Sequence, residues 1–108
     1  IRYVLPQDLW QALHTAAPPQ VIDVREPREY QRCHIPHAQS LPLSILLKQP
    51  NQVPAGQPVV LVCQGGRRSL RAAAILNEAG VSDVRVLQGG MNAWEAANLL
   101  EVVEDGGG

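Results

Sequence analysis

The sequence predicts an α/β domain, a mainly parallel sheet with helices on both faces, and three observations carry that expectation. Short aliphatic runs at residues 1–4, 21–24, 39–41, 59–63 and 84–87 alternate with stretches whose apolar residues are spaced for helices. The run Val59-Val60-Leu61-Val62-Cys63 reads as a buried strand, and a glycine and arginine loop leads from it into an alanine-rich helix from Ser69 to Gly80. The chain has 108 residues, enough for one real core and too few for a second, so residues 1–105 are expected to form a single domain.

Taken in order, residues 1–4 suit a short edge strand, and Pro6 then fits the first turn of a helix to about His14. Leu9, Trp10 and Leu13 are spaced for one buried face of that helix, which Pro18 and Pro19 end. Residues 21–24 form a strand that closes on Asp23 and Arg25. Pro27 opens a short helix to about Arg32, with Glu26 and Glu29 placed to favour its amino end. A third strand spans residues 39–41, a short helix runs from Pro42 to about Leu47, and residues 51–58, rich in Pro, Gly and polar residues, make a surface loop. After the central strand and helix, Gly80 takes the usual place past a helix end. Residues 84–87 are a strand, and Gly89-Gly90 turns into a final helix from about Met91 to Ala97 that Trp94 packs on the sheet.

The chemistry is concentrated at Cys63. A strand-to-helix loop in an open α/β sheet lies at the carboxyl end of its strand, where the first amides of the helix have no partner within it. A sulfur there faces a ring of donors. Only the thiolate is a good nucleophile, and an unperturbed cysteine is roughly 3% ionised at neutral pH. Converting most of the population to thiolate requires a bias of about 3 kcal/mol, of which a helix dipole supplies about 0.3–1 kcal/mol. Amide hydrogen bonds and the neighbouring Arg67 and Arg68 must supply the rest. Gly65 and Gly66 fit this account, since glycines let successive N–H groups turn inward as an anion nest. Each feature has a plain structural reading when taken singly, a small buried cysteine, a turn and a solvated pair of arginines, but here they fall together in six consecutive residues.

Other classes are disfavoured. The net charge is −1, so neither nucleic acid nor an anionic membrane is an expected partner, while the local cluster of Arg67, Arg68 and Arg71 suits a small anion. Cys33 and Cys63 are the only cysteines, consistent with a reducing compartment and a cytoplasmic location. No aliphatic run is long enough to span a membrane and no signal peptide is visible. Cys33-His34-Ile35-Pro36-His37 looks like a set of metal ligands, yet nothing downstream supplies a fourth at usual spacing and Pro36 makes the segment an extended turn. No metal and no cofactor are expected, and His14 is read as a surface or packing residue. A start at Ile1 and an end in three glycines are compatible with a piece cut from a longer protein, residues 106–108 being a flexible tail or linker.

Three segments together resemble the rhodanese, or sulfurtransferase, domain family. They are Asp23-Val24-Arg25-Glu26 continuing through Glu29-Tyr30 to His34-Ile35-Pro36-His37-Ala38, then Cys63-Gln64-Gly65-Gly66-Arg67-Arg68-Ser69, then Leu87-Gln88-Gly89-Gly90-Met91-Asn92-Ala93-Trp94. The resemblance implies a five-stranded, mainly parallel sheet and a reaction in two halves, in which Cys63 takes the outer sulfur from an anionic donor such as thiosulfate as a persulfide. The acceptor would be cyanide or a thiol, and a truncated-looking start allows another protein to be that acceptor. Gln64, Gly65, Gly66, Arg67, Arg68 and Ser69 would line the pocket, with Arg67 and Arg68 docking the anion, while Asp23 and Arg25 would support the loop. Two positions depart from the family: Cys33 stands where a glycine commonly precedes His34, and His37 where one commonly follows Pro36. Both add side chains to a tight turn, and Cys33 would serve as a resolving thiol if it lay close to Cys63.

Two alternatives share part of this pattern. A phosphatase or arsenate reductase also sets a thiolate in an anion-binding loop, but its arginine follows five residues after the cysteine, a place that falls here on Ser69. A non-catalytic module that binds a partner within a larger protein is the other, against which stands the nucleophile itself.

Overall fold

The computed structural model describes residues 1–104, and the expected glycine tail lies outside them. Five strands, β1 (Arg2–Val4), β2 (Gln20–Asp23), β3 (Gln39–Ser40), β4 (Val59–Val62) and β5 (Val84–Leu87), form one sheet in the order β1-β5-β4-β2-β3. Every neighbouring pair is parallel, with Asp23 opposite Val62 and Leu61 opposite Val86. Five helices accompany them: α1 (Pro6–Leu13), α2 (Pro27–Arg32), α3 (Leu43–Lys48), α4 (Arg67–Glu78) and α5 (Gly90–Ala96).

Period-two alternation divides the strand side chains between two cores. Ile22, Val59, Leu61, Val84 and Val86 point to one face, where Leu46 of α3 and Ala72, Ala73 and Leu76 of α4 cover them. Val21, Val60, Val62 and Leu87 point to the other, against Leu9 of α1 and Met91 and Trp94 of α5. Trp94 is fully buried and its indole N–H donates to the carbonyl of Leu100 at 3.0 Å, which satisfies the one polar atom of a large apolar side chain. A sheet covered in this way explains why β4 reads as an unbroken apolar run rather than an alternating one.

Some boundaries differ from the sequence reading. Helix α4 begins at Arg67 rather than Ser69, because Gly66 takes the left-handed conformation (φ 105°) and caps the helix, so both arginines belong to its first turn. Gly90 is already the first residue of α5. The stretch around residues 51–58 opens with a 3₁₀ turn over Pro50–Gln52. The chain after α5 returns to pair with the turn that follows α2: His34 and Val102 exchange backbone hydrogen bonds of 2.9 and 2.8 Å in an isolated antiparallel bridge.

Two connections set the site. From β2 the chain leaves through α2 toward β3, and from β4 it leaves through α4 toward β5, in opposite directions along the sheet. Adjacent parallel strands whose connections diverge leave a crevice at their carboxyl ends. Asp23 and Cys63, the last residue of β2 and the first after β4, stand at that crevice.

Candidate active site

The cysteine loop owes its shape to two helices. Cys63 continues the alternation of β4, so its side chain falls on the α4 face, where the residue is 1% exposed. The amides of Gly66 and Ser69 donate to its sulfur at 3.0 and 3.4 Å. From behind, the first turn of α5 takes the loop's carbonyls: Met91 N–H donates to Cys63 O at 2.8 Å and Asn92 N–H to Gln64 O at 3.1 Å. With the carbonyls directed into α5, the following amides are free to turn toward the sulfur. This close approach requires Gly90, at φ 59°, since a Cβ there would lie 2.6 Å from Gln64 O and closer still to Cys63 O. The sequence reading treated Gly89-Gly90 as a turn; the signal for its role was the glycine pair at a helix start, where a second backbone comes near.

Asp23 and Arg25 are 0% and 2% exposed and form a buried pair, the guanidinium donating from Nε at 3.0 Å and from Nη2 at 2.8 Å to the two carboxylate oxygens. Burial opposes charge on Arg25, but the hydrogen bonds and charge of Asp23 outweigh it and raise its pKa above the ordinary value. The remaining donors of Arg25 reach Gln64 Oε1 at 3.1 Å and Cys33 O at 2.6 Å, and Gln64 Nε2 donates to Asn92 Oδ1 at 2.7 Å. A continuous chain thus runs from β2 through Gln64 to α5, and it anchors the loop from the side.

The six expected lining residues therefore divide. Gly66 and Ser69 touch the sulfur through their amides; Gln64 is turned aside as a strut; Gly65 and Arg67 are exposed. Arg68 forms a bidentate pair with Glu29, Nη1 to Oε1 at 2.7 Å and Nη2 to Oε2 at 3.0 Å, which ties α4 to α2 across the crevice. The hydrogen bonds from Arg68, which outweigh the opposing effect of partial burial, hold the Glu29 carboxyl down at about 2. The sequence reading gave Glu29 only its helix-end role, which it also fills by accepting the Glu26 N–H at 3.0 Å. The Ser69 hydroxyl, fully buried beside the sulfur's amide donors, has no hydrogen-bond partner among the described residues.

Cys33, His34 and His37 are not brought together as ligands. His34 is buried, stacked on Tyr30 at 3.8 Å, with Nδ1 2.8 Å from Tyr30 O, and His37 is exposed at φ 69°. That left-handed backbone accounts for the glycine the resembling family commonly carries there, whereas Cys33, at φ −168°, is extended and needs none. The Cys33 thiol faces Glu95 and Glu101, with ligand atoms of all three within 4.8 Å, and donates to Glu95 Oε1 at 3.5 Å. Burial first, then the two carboxylates, push it up to about 12, so it stays a thiol at neutral pH and is a poor resolving nucleophile. A cavity of about 190 Å³ lies at the other end of the sheet, bordered by Pro58, Val59, Asp83 and Arg85, and takes no part in the crevice.

Comparison with known proteins agrees with the fold. The family model described as Rhodanese-like domain matches residues 5–97. The uncharacterized protein YqhL of Bacillus subtilis (strain 168) is 43% identical over 75 residues, 69% of this chain and 60% of YqhL, so the match spans less than two thirds of that relative. Thiosulfate sulfurtransferase GlpE of Pseudoalteromonas translucida is 38% identical over 77 residues, 71% of this chain and 73% of that protein. The crystal structure of a rhodanese-related protein from Thermoplasma volcanium superposes with a TM-score of 0.85 at 28% identity, covering 96% of this chain and all of that one.

Proposed function

The chain belongs to the rhodanese-like domain family, and from that premise we propose that it is a sulfurtransferase in which Cys63 carries a sulfane sulfur as a persulfide. The observation that supports this most directly is the pair of amides, from Gly66 and Ser69, aimed at the Cys63 sulfur. Fixed donors of this kind stabilise a thiolate at Cys63 without having to reorganise.

In the first half-reaction the Cys63 thiolate attacks the outer sulfur of thiosulfate. A new S–S bond forms, the bond from that sulfur to the sulfonate breaks, and sulfite leaves with the electron pair, which conserves total charge. In the second, cyanide or a thiolate attacks the terminal persulfide sulfur, and Cys63 is returned as the thiolate while thiocyanate or a new persulfide departs. The covalent intermediate predicts ping-pong kinetics. Arg67, exposed at the start of α4, is assigned to steering the anionic donor, and Asp23 and Arg25 to holding the loop. No metal or cofactor takes part in these steps. The two free cysteines fit a reducing compartment, and we assign the reaction to the cytoplasm, with a small thiol, cyanide or a protein thiol as acceptor. Among the described residues no helix is long and apolar enough to cross a membrane.

A phosphatase is the weaker reading, because the place of the clamping arginine falls on Ser69 and Arg68, one residue before it, is already bidentate on Glu29. Mass spectrometry after thiosulfate treatment tests the proposal. One added sulfur atom on Cys63, absent in Cys63→Ser and retained in Cys33→Ser, is expected. A chain that gains no sulfur is instead the non-catalytic, partner-binding kind of domain.

A further inference from the structure

Arg68 lies between Gly66 and Ser69, the two residues whose amides reach the sulfur, yet both terminal nitrogens of its guanidinium are committed to Glu29 at 2.7 and 3.0 Å. Arg67 is exposed and makes no side-chain hydrogen bond or ion pair among the described residues. Of the two consecutive arginines that follow Gly66, one is therefore uncommitted among the described residues. The two members of the pair are 35% and 26% exposed, close enough to solvent for an entering anion to compete for Arg68. Glu29 remains a carboxylate throughout the range in which thiolate chemistry runs, since Arg68 keeps it titrating at about 2.

We propose that Glu29 is a specificity-determining residue that selects sulfur donors by charge: by occupying Arg68 it disfavours dianionic donors relative to monoanionic donors that deliver the same sulfur. The inference rests on the sulfurtransferase reading and refines it to a class of donor. A fixed carboxylate acts on a donor in proportion to the donor's charge, so a dianion is repelled twice as strongly as a monoanion at the same separation. Thiosulfate and benzenethiosulfonate make the comparison. Each presents a terminal sulfur to Cys63; thiosulfate, a dianion, releases sulfite, and benzenethiosulfonate, a monoanion, releases benzenesulfinate. In both cases the bond between the two sulfurs of the donor breaks and its electron pair leaves with the oxidised sulfur.

The experiment measures kcat and KM for both donors with wild type, Glu29→Gln and Arg68→Gln at low and high ionic strength. Glutamine keeps an amide oxygen that accepts the Glu26 N–H, so the start of α2 is retained. In Glu29→Gln the ratio of kcat/KM for thiosulfate over benzenethiosulfonate is expected to rise about two- to fivefold at low salt, the order for one charge acting across roughly a Debye length. The rise should appear in KM for thiosulfate with kcat little changed, and should shrink in high salt. Arg68→Gln, which leaves Glu29 unopposed, should lower the ratio. An unchanged ratio in either variant, with both donors still turning over, overturns the inference and leaves sulfur transfer standing. Failure of wild type to take sulfur from either donor overturns the sulfurtransferase reading itself.

Discussion

Gly90→Ala is the sharpest test of how the cysteine loop is built. The residue stands at φ 59°, a backbone region that disfavours alanine by about 1 kcal/mol. The larger effect is steric: the new methyl carbon would lie 2.6 Å from Gln64 O and in still closer collision with Cys63 O, both of them backbone atoms with no rotamer through which to yield. To relieve it, the loop must move away from α5, and the hydrogen bonds Met91 N–Cys63 O and Asn92 N–Gln64 O, 2.8 and 3.1 Å, must stretch or break. With about 1–3 kcal/mol from overpacking and about 1 kcal/mol for each of two weakened backbone bonds added to the backbone strain, a total loss of roughly 4–6 kcal/mol is expected. Urea unfolding measures that loss directly. A thiosulfate single-turnover assay should show sulfur loading of Cys63 reduced at least tenfold in the fraction that remains folded, because carbonyls that leave α5 no longer hold the Gly66 and Ser69 amides on the sulfur. Gly56→Ala is the control, as nothing lies within 4 Å of its Cβ, and it should be near neutral. A Gly90→Ala protein as stable as wild type and equally fast in loading would refute the account of α5 as the loop's support.

Three further outcomes follow from the same structure. Arg25→Ala leaves the Asp23 carboxylate buried without its partner and frees the side chain of Gln64, so it should destabilise by about 3–5 kcal/mol in urea unfolding, with Asp23→Ala/Arg25→Ala recovering part of the loss. His37→Gly removes a side chain held at φ 69° on an exposed turn and should raise stability by about 0.5–1 kcal/mol, read as a higher thermal midpoint. Glu29 titrates at about 2 when folded against an ordinary 4.5, so the folded state binds fewer protons between those values. Its stabilisation should be complete above the upper value and vanish as pH falls through the lower one, and the stability gap between wild type and Glu29→Gln, about 1–2 kcal/mol after solvent screening, should close across that window.

Much of the fold was legible because its signals are local. Pro27 at a helix start, the Val59–Val62 run and the Gly89-Gly90 pair each impose backbone geometry on their own segment, and each of these elements lies within a residue of where the pattern puts it. Cys63 was legible for the same reason, since a strand, two glycines and a helix start fall within a few residues. The start of α4 differs by two residues because the glycines and arginines read together as a loop, whereas Gly66 at φ 105° ends the loop and puts both arginines in the first turn of the helix. Relations between segments were hidden. Glu29 and Arg68 are far apart in the chain, and each carries a sufficient local explanation, a helix start and a solvated cation, so nothing in either segment announced their bidentate contact. The same holds for Arg25, Gln64 and Asn92, whose chain of hydrogen bonds joins three separate stretches.

This division between local and long-range signals has a functional consequence. The groups that touch the sulfur are backbone amides, and α4 supplies them whatever its exposed side chains are. The side chains instead decide where the loop sits and what charge its mouth presents: Arg25 and Asn92 brace Gln64, Gly90 admits the close backbone contact, and Glu29 cancels one of two arginines. Chemistry held by the backbone survives changes at the rim, so substitutions at Glu29, Arg67 and Arg68 are expected to move KM and donor preference. Substitutions at Gly90 and Arg25 are expected to move kcat and stability together.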